Sequence, residues 1–451
     1  MRNRQYKKKN KSWSLKALSL LCAAFLLAGC AQSGAEVPDV GGESGTARDI
    51  DASGELSAAG TDQEDPGAAE ADREALTEPI SPATDYVTED MYQRAVAFQQ
   101  GDLTRLAAVM RRAQAGEDIT VGVIGGSITE GYSASNRNRS SYACHMRNWW
   151  QERFPQSAVD YVNAGIGGTS SYLGVHRVQE DLLDYEPDFV IVEFSVNDGA
   201  NNFYKRSYDN LLRRILLDEN APALLLLFTT QENGTSAQVN DALLGFGYEL
   251  PMISYGNAVL PAIETGEFTW KDISPDNIHP NDRGHAVIGE LLYRYLNDVY
   301  ARLEEIPEEV APFTAPAQTK ERYMEGRILD ASSLTPVSAG SFTDTQSGWY
   351  FPYEDYWYTE TGEESIVFEI EASNIGLLYQ RDVDDTFGVY DVYIDGEYVR
   401  SLNGNFVNGW GNSMETEELY ISDEKRLHRV EVRRNPDSVG KKFTVIGWLV
   451  S

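Results

Sequence analysis

Four short stretches of this chain combine residue types that do chemistry with the glycines that let a backbone present them. Gly125-Gly126-Ser127 sets a hydroxyl directly after two glycines. Glycines permit a tight turn, and a serine opening the next helix sits at the positive end of its dipole, which favours the alkoxide character a nucleophile must develop. Phosphate binding by such a turn is the competing reading, but Gly122, Gly125, Gly126 and Gly131 fit neither G-x-G-x-x-G nor G-x-x-x-x-G-K-[ST]. Asn163-Ala164-Gly165-Ile166-Gly167-Gly168-Thr169 is a second glycine-rich turn, where an N–H can approach a substrate oxygen with no side chain in the way. Turns of this kind are also common without function. Ser195-Val196-Asn197-Asp198 offers a neutral amide, a donor that does not titrate and so suits a developing oxyanion, although Asn-Asp after a strand is also an ordinary turn or helix cap. Asp276-Asn277-Ile278-His279-Pro280 sets a carboxylate three residues from an imidazole. In a tight loop the two can converge, and the carboxylate then fixes the ring's tautomer and raises its basicity.

Of five histidines in the chain, only His279 has this setting. His285 falls in a helical pattern, where packing or capping is the ordinary role, and His145, His176 and His428 have no comparable neighbours. No H-x-x-x-H or Cys-His cluster accompanies His279, so no metal site is expected and no cofactor is implied.

These stretches need elements to hold them. Ile119 to Ile124, Val159 to Val162, Phe189 to Phe194 and Ala223 to Thr230 are apolar, largely β-branched or leucine-rich runs without alternation, which suits strands buried on both faces. Between them lie helical patterns at Ser141 to Arg153 and Tyr208 to Leu217, and a last one runs from Asn281 to Leu303 behind Pro280. Met91, Ala95, Phe98, Leu103, Leu106, Ala107 and Met110 recur at helical spacing and predict two bracing helices ahead of the first strand. The fold class predicted is α/β, a doubly wound, flavodoxin-like parallel sheet, and ligands of such sheets gather at the carboxyl ends of the strands, where the four stretches lie.

Taken together, Ser127, Gly168, Asn197, Asp276 and His279 in this order resemble the SGNH hydrolase family, also called GDSL esterases and lipases. The resemblance covers roughly residues 115 to 305. It implies Ser127 as nucleophile, His279 as base and Asp276 as its partner. An oxyanion hole of the Ser127 and Gly168 N–H groups and the Asn197 side chain is implied with them. Two positions depart from the family pattern: Gly126 stands where block I has aspartate, and Ser195 where the G-x-N-D of block III has glycine. Neither replaced residue does the chemistry in that pattern, so what they affect is the subfamily and its substrate.

The remainder of the chain is organised around this unit. Residues 1–29 hold seven Lys/Arg and no Asp/Glu, with an apolar run from Leu18 to Ala28, and end in Leu27-Ala28-Gly29-Cys30. This resembles the lipobox of bacterial lipoproteins and implies a cleaved signal peptide with lipid on Cys30, anchoring the chain at the outer face of a bacterial cell membrane. Residues 30–87 are acidic and low in complexity and read as a disordered linker. The catalytic domain follows at 88–305, a proline-punctuated linker at 306–325, and short strand patterns at 326–451, among them Ser365 to Ala372, Ile375 to Gln380 and Leu427 to Arg433, with a hairpin signal at Asp395-Gly396, predict a β-sandwich. The formal net charge of −32 disfavours nucleic acid as a partner. With Cys22 in the leader and Cys30 lipidated, Cys144 has no partner for an intramolecular disulfide.

An anchored enzyme of this kind meets glycans and lipids. No long apolar surface segment suits a lipid interface, and an appended β-sandwich points to carbohydrate, so the expected function is removal of O-acetyl or other short acyl groups from a glycan through a serine acyl-enzyme. The alternatives are a surface glycan-binding lipoprotein with an inactive hydrolase fold, or a lipase or acyltransferase of the same family. The seven aromatics of Trp349 to Tyr358 are read mainly as core or interface packing, with sugar stacking as the second possibility.

Overall fold

The computed structural model describes residues 84–345 and 353–451. The leader, Cys30, nearly all of the 30–87 segment, and Trp349, Tyr350 and Phe351 of the aromatic run lie outside the described residues.

The apolar runs form a parallel sheet in the order β2 (Val159–Gly165), β1 (Ile119–Gly125), β3 (Phe189–Glu193), β4 (Ala223–Phe228) and β5 (Met252–Ser254), the flavodoxin-like order expected. Successive strand residues face opposite sides. Phe189 and Ile191 therefore join Val121, Val123 and Leu225 under the helices Glu89–Ala95, Thr104–Gln114, Tyr142–Arg153 and Asp282–Ala301. Val190 and Val192 join Ile124, Leu224 and Leu226 under Ser171–Asp181 and Asn202–Leu216. Both faces are covered, which is why the runs lack a polar face; each large side chain fully buried contributes ~1.5–3 kcal/mol. The register levels the carboxyl ends: Gly125 pairs with Gly165 on one side and Glu193 on the other. The turns carrying Ser127, Gly168 and Asn197 therefore leave the sheet from one edge. β5, three residues long, left no run for the sequence to display.

The C-terminal region is an antiparallel β-sandwich. Its strand order is β11 (Glu397–Asn403), β10 (Val389–Ile394), β12 (Ser413–Arg434), β9 (Ile366–Arg381), β13 (Phe443–Val450), β8 (Tyr356–Thr359) and β7 (Thr343–Thr345), and β6 (Arg327–Leu329) pairs with β13. Asp395 and Gly396 both take positive φ (54° and 85°) and join β10 to β11, as the hairpin signal predicts. Two expectations change. The strands read at Ser365 to Ala372 and Ile375 to Gln380 are one, because Ser373 and Asn374 bond the chain end: the Ser373 N–H donates to Ser451 O at 2.8 Å and Asn374 Nδ2 to Ser451 Oγ at 2.8 Å. The strand read at Leu427 to Arg433 is the last part of β12, whose 22 residues begin at Ser413 in a glutamate-rich stretch. Register shifts against β9 between Glu418 and Tyr420 and between Ile421 and Arg426 bend this long strand.

The sandwich and the α/β unit share a core. Leu378, Met414, Ile446 and Leu449 enter the same apolar cluster as Tyr172, Val192 and Tyr323. The segment between them is strapped down along the helix Asn202–Leu216. Buried Asp209 accepts the Thr319 N–H at 2.7 Å and its hydroxyl at 2.6 Å, Asn210 Oδ1 accepts the Tyr323 N–H at 2.8 Å, and Arg213 donates to Ala315 O at 2.8 Å. Of the aromatic run, Tyr356 and Trp357 are buried, and Tyr353 packs against the shared cluster, so these described members serve packing.

Candidate active site

Ser127 is the first residue of the short helix Ser127–Glu130 and is only 7% exposed. Its Oγ lies 2.9 Å from His279 Nε2, and His279 Nδ1 lies 2.8 Å from Asp276 Oδ2. The other carboxylate oxygen of Asp276, Oδ1, accepts two backbone N–H groups, from Ile278 and His279, each at 2.7 Å. Burial pulls the Asp276 pKa upward, but these bonds and the His279 ring outweigh it and hold the group below its ordinary value. The loop is tied beneath by Trp270 Nε1, which donates to Asp276 O at 2.6 Å, and by Ser274 Oγ, 2.6 Å from His279 O.

The ring of Tyr132 covers His279, with centroids 4.4 Å apart. His285 holds Tyr132 from behind. Its Nδ1 accepts the Tyr142 N–H at 3.3 Å, which leaves the proton on Nε2, 3.2 Å from Tyr132 O. Burial pushes the His285 pKa down to about 4, so this ring is a neutral strut, consistent with the packing role read from its helix.

The amide of Asn197 lies flat against Gly126: a Cβ there would stand 2.2 Å from Asn197 Oδ1 and 3.0 Å from Nδ2. No side chain at position 126 is compatible with this Asn197 position, which accounts for the first departure from the family pattern. Ser195 accounts for the second. Its Oγ accepts the Thr229 N–H at 2.8 Å and lies 3.4 Å from Glu193 Oε1, joining the ends of β3 and β4. Gly168 takes φ +71°, a conformation natural to glycine. Neither the Gly168 N–H nor Asn197 Nδ2 makes a hydrogen bond within the described residues, so both donors are free for a ligand.

Beneath this shell sits a fully buried carboxyl, Glu193, bonded by Thr229 Oγ1 at 2.6 Å and Thr129 Oγ1 at 3.3 Å. Burial raises its pKa from 4.5 to about 7, the hydroxyls opposing. A group whose folded-state pKa is the higher one binds more proton when folded. Its contribution to stability is therefore complete below about 4.5 and is lost as the pH rises to about 7. Glu193→Gln should melt with a smaller fall between pH 5 and pH 8 than the native chain, and above the native chain at pH 8. Parallel melting curves against pH would contradict this.

One functional candidate comes from the second domain. Trp410, in the loop between β11 and β12, is 61% exposed, and its Cζ2 lies 3.9 Å from where a Cβ on Gly168 would stand. Phe406 packs edge-on against it at 4.6 Å, and the Arg381 guanidinium lies 4.3 Å from the Phe406 centroid. The sequence signal was a lone tryptophan between glycines, Asn408-Gly409-Trp410-Gly411-Asn412, with nothing to tie it to Gly168, 242 positions upstream. Ser127, His279 and Asp276 are thus joined in one hydrogen-bonded run with Asn197 and Gly168 beside them; Cys30 lies outside the described residues.

Residues 123–287 match the GDSL-like lipase/acylhydrolase family. Thioesterase 1/protease 1/lysophospholipase L1 of Escherichia coli (strain K12) is 26% identical over 186 residues, 39% of this chain and 83% of that protein. A two-domain esterase (CEX) active on acetylated mannans is 32% identical, with a TM-score of 0.75 over 80% of this chain and 98% of that one. The structure of such an esterase co-crystallized with mannopentaose is 33% identical, with a TM-score of 0.72 over 80% and 97% of the two chains.

Proposed function

The chain belongs to the GDSL-like lipase/acylhydrolase family, the SGNH hydrolases, and is a serine esterase; from that premise we propose that it removes O-acetyl groups from a mannan-type glycan through an acyl-enzyme on Ser127. The observation that carries the reading is the run Ser127, His279, Asp276 with two free donors beside it. His279 Nε2 takes the Ser127 proton as Oγ attacks the acetyl carbonyl carbon. The N–H groups of Ser127 and Gly168 and Asn197 Nδ2 receive the negative oxygen. Collapse breaks the ester bond, and His279 returns the proton to the departing sugar oxygen. Water, deprotonated by the same nitrogen, then attacks the acetyl-serine; collapse of that intermediate releases acetate, and His279 returns the proton to Ser127 Oγ.

Two further observations support a polymeric sugar as substrate. The similar two-domain esterases act on acetylated mannans, and Trp410 offers an exposed ring at the mouth of this site, suited to stacking on a sugar face. The enzyme is proposed to work at the outer face of a bacterial membrane, tethered through lipid on Cys30. The test is acetate release from acetylated mannan by cells carrying the full chain. Trp410→Ala should raise KM for acetylated mannooligosaccharides about three- to tenfold, the size of one aromatic contact, while p-nitrophenyl acetate is hydrolysed as before. Equal effects on both substrates would remove the tryptophan from sugar binding, release from acetylated xylan alone would overturn the mannan assignment, and activity that stays in the membrane fraction of Cys30→Ala would overturn the tether.

A further inference from the structure

The wall of the site contains an ion pair with no part in the chemistry above. Glu130 ends the helix that begins with Ser127. Its Oε2 accepts the Gly167 N–H at 2.8 Å, and its Oε1 is paired with the Arg137 guanidinium. Arg137 itself lies over the Tyr132 ring that covers His279, 5.9 Å from its centroid. The same turn is fixed at both ends by other side chains: the Gly165 N–H donates to Asn163 Oδ1 at 2.8 Å, and the Ser171 N–H to Asp198 Oδ1 at 2.9 Å. Between these anchors stand Gly167 and Gly168, two successive residues whose backbone has the widest range of directions open to it. The Thr169 hydroxyl spans the pair, donating to Ile166 O at 2.7 Å, but among the described residues the Gly167 N–H to Glu130 Oε2 bond is the only side-chain hydrogen bond made by the backbone of either glycine.

We propose that Glu130 is a positioning residue of the oxyanion site: its carboxylate, braced by Arg137, locks the Gly167 N–H and so aims the next N–H, that of Gly168, at the oxygen that becomes negative. A donor helps the transition state only when it is already oriented, because reorganisation during the reaction forfeits the gain. Glu130 touches no reacting atom; it acts through one peptide plane. The proposal rests on the esterase reading of Ser127 and Gly168.

The test compares Glu130→Ala and Glu130→Gln, with Ser127→Ala as control, on p-nitrophenyl acetate and its thionoacetate analogue. Losing a whole oxyanion donor lowers turnover on the order of 10²- to 10³-fold, so misaiming one should lower kcat roughly 10- to 100-fold in Glu130→Ala, with KM held within about threefold. Glutamine keeps an oxygen that can accept the Gly167 N–H, so Glu130→Gln should recover kcat to within about fivefold of native. Sulfur is the poorer acceptor, so the native preference for the oxygen ester should shrink in Glu130→Ala and return in Glu130→Gln. If the alanine variant does not fold, Arg137→Met, which loosens the carboxylate without removing it, should show a smaller kcat loss with the same change in oxygen-to-sulfur preference. A native kcat in Glu130→Ala, a loss confined to KM, or an unchanged preference beside an inactive Ser127→Ala would overturn the clamp alone. An active Ser127→Ala would overturn the esterase reading and the clamp with it.

Discussion

Ser127→Ala is expected to lose turnover of p-nitrophenyl acetate by on the order of 10⁶-fold, and to lose all labelling by a fluorophosphonate. The size follows from what the hydroxyl does. Ser127 Oγ is the atom within 2.9 Å of His279 Nε2 at the edge where the strand ends converge, so without it no acyl-enzyme forms and the imidazole has no proton to take. What persists is the help that bound donors give to direct attack by water, roughly 10³- to 10⁴-fold over the uncatalysed rate. Labelling of the native chain at Ser127 also separates an esterase from a glycan-binding protein with an idle hydrolase fold. An alanine variant retaining more than about a hundredth of native turnover would remove Ser127 from the chemistry.

Asp276→Asn should cost about 10⁴-fold in kcat with little change in melting temperature. The reason lies in how the carboxylate is held. Oδ1 accepts the N–H groups of both Ile278 and His279, so an asparagine must keep its oxygen there, since turning it would leave two donors unmatched. Its NH₂ then faces His279 Nδ1, where Oδ2 stood at 2.8 Å. Two donors cannot face each other, so the ring proton moves to Nε2, the atom that must accept from Ser127. The substitution changes almost no volume and inverts the tautomer. A variant within tenfold of native kcat would show that the ring finds the right tautomer unaided. The buried neutral strut His285, whose tautomer is fixed separately by the Tyr142 N–H, should be indifferent to this change.

The sequence displayed the residues that lie two to four positions past a strand end, because a parallel sheet brings those positions together whatever the intervening chain does. Ser127, Gly168 and Asn197 are of this kind, and the apolar runs that carry them are continuous for the same reason that the sheet is covered on both faces; the Asp276–His279 pair lies instead in the loop between the helices Trp270–Ile273 and Asp282–Ala301, and was legible from its own spacing. Gly126 and Ser195 were visible as departures but not as solutions. Their sense depends on the Asn197 amide pressed on one and the Thr229 N–H bonded to the other. Glu130 and Tyr132 stood in the very stretch that holds Ser127 and gave no sign, since a carboxylate that bonds a backbone N–H 37 residues away looks in sequence like any surface glutamate. Trp410 was further out of reach. In the sandwich, Ser373-Asn374 resembled a break because polar pairs usually end strands, but their bonds to Ser451 and the pairing of Asn374 with Ile421 of β12 keep β9 whole.

The strap from Ala315 to Tyr323 has a consequence for how the second domain can help. A sugar-binding module on a loose tether raises the effective concentration of substrate near an active site, and does so equally for every acetyl group within the tether's reach. Here Asp209, Asn210 and Arg213 hold the connection to a helix of the catalytic unit, and the two domains share a core. The domain that carries Trp410 is therefore held against the catalytic unit instead of on a loose tether. Under the proposed stacking of a sugar on that ring, the site would work as a ruler: it would measure which hydroxyl along the chain carries the acetyl group, and selectivity for position would replace gain in local concentration.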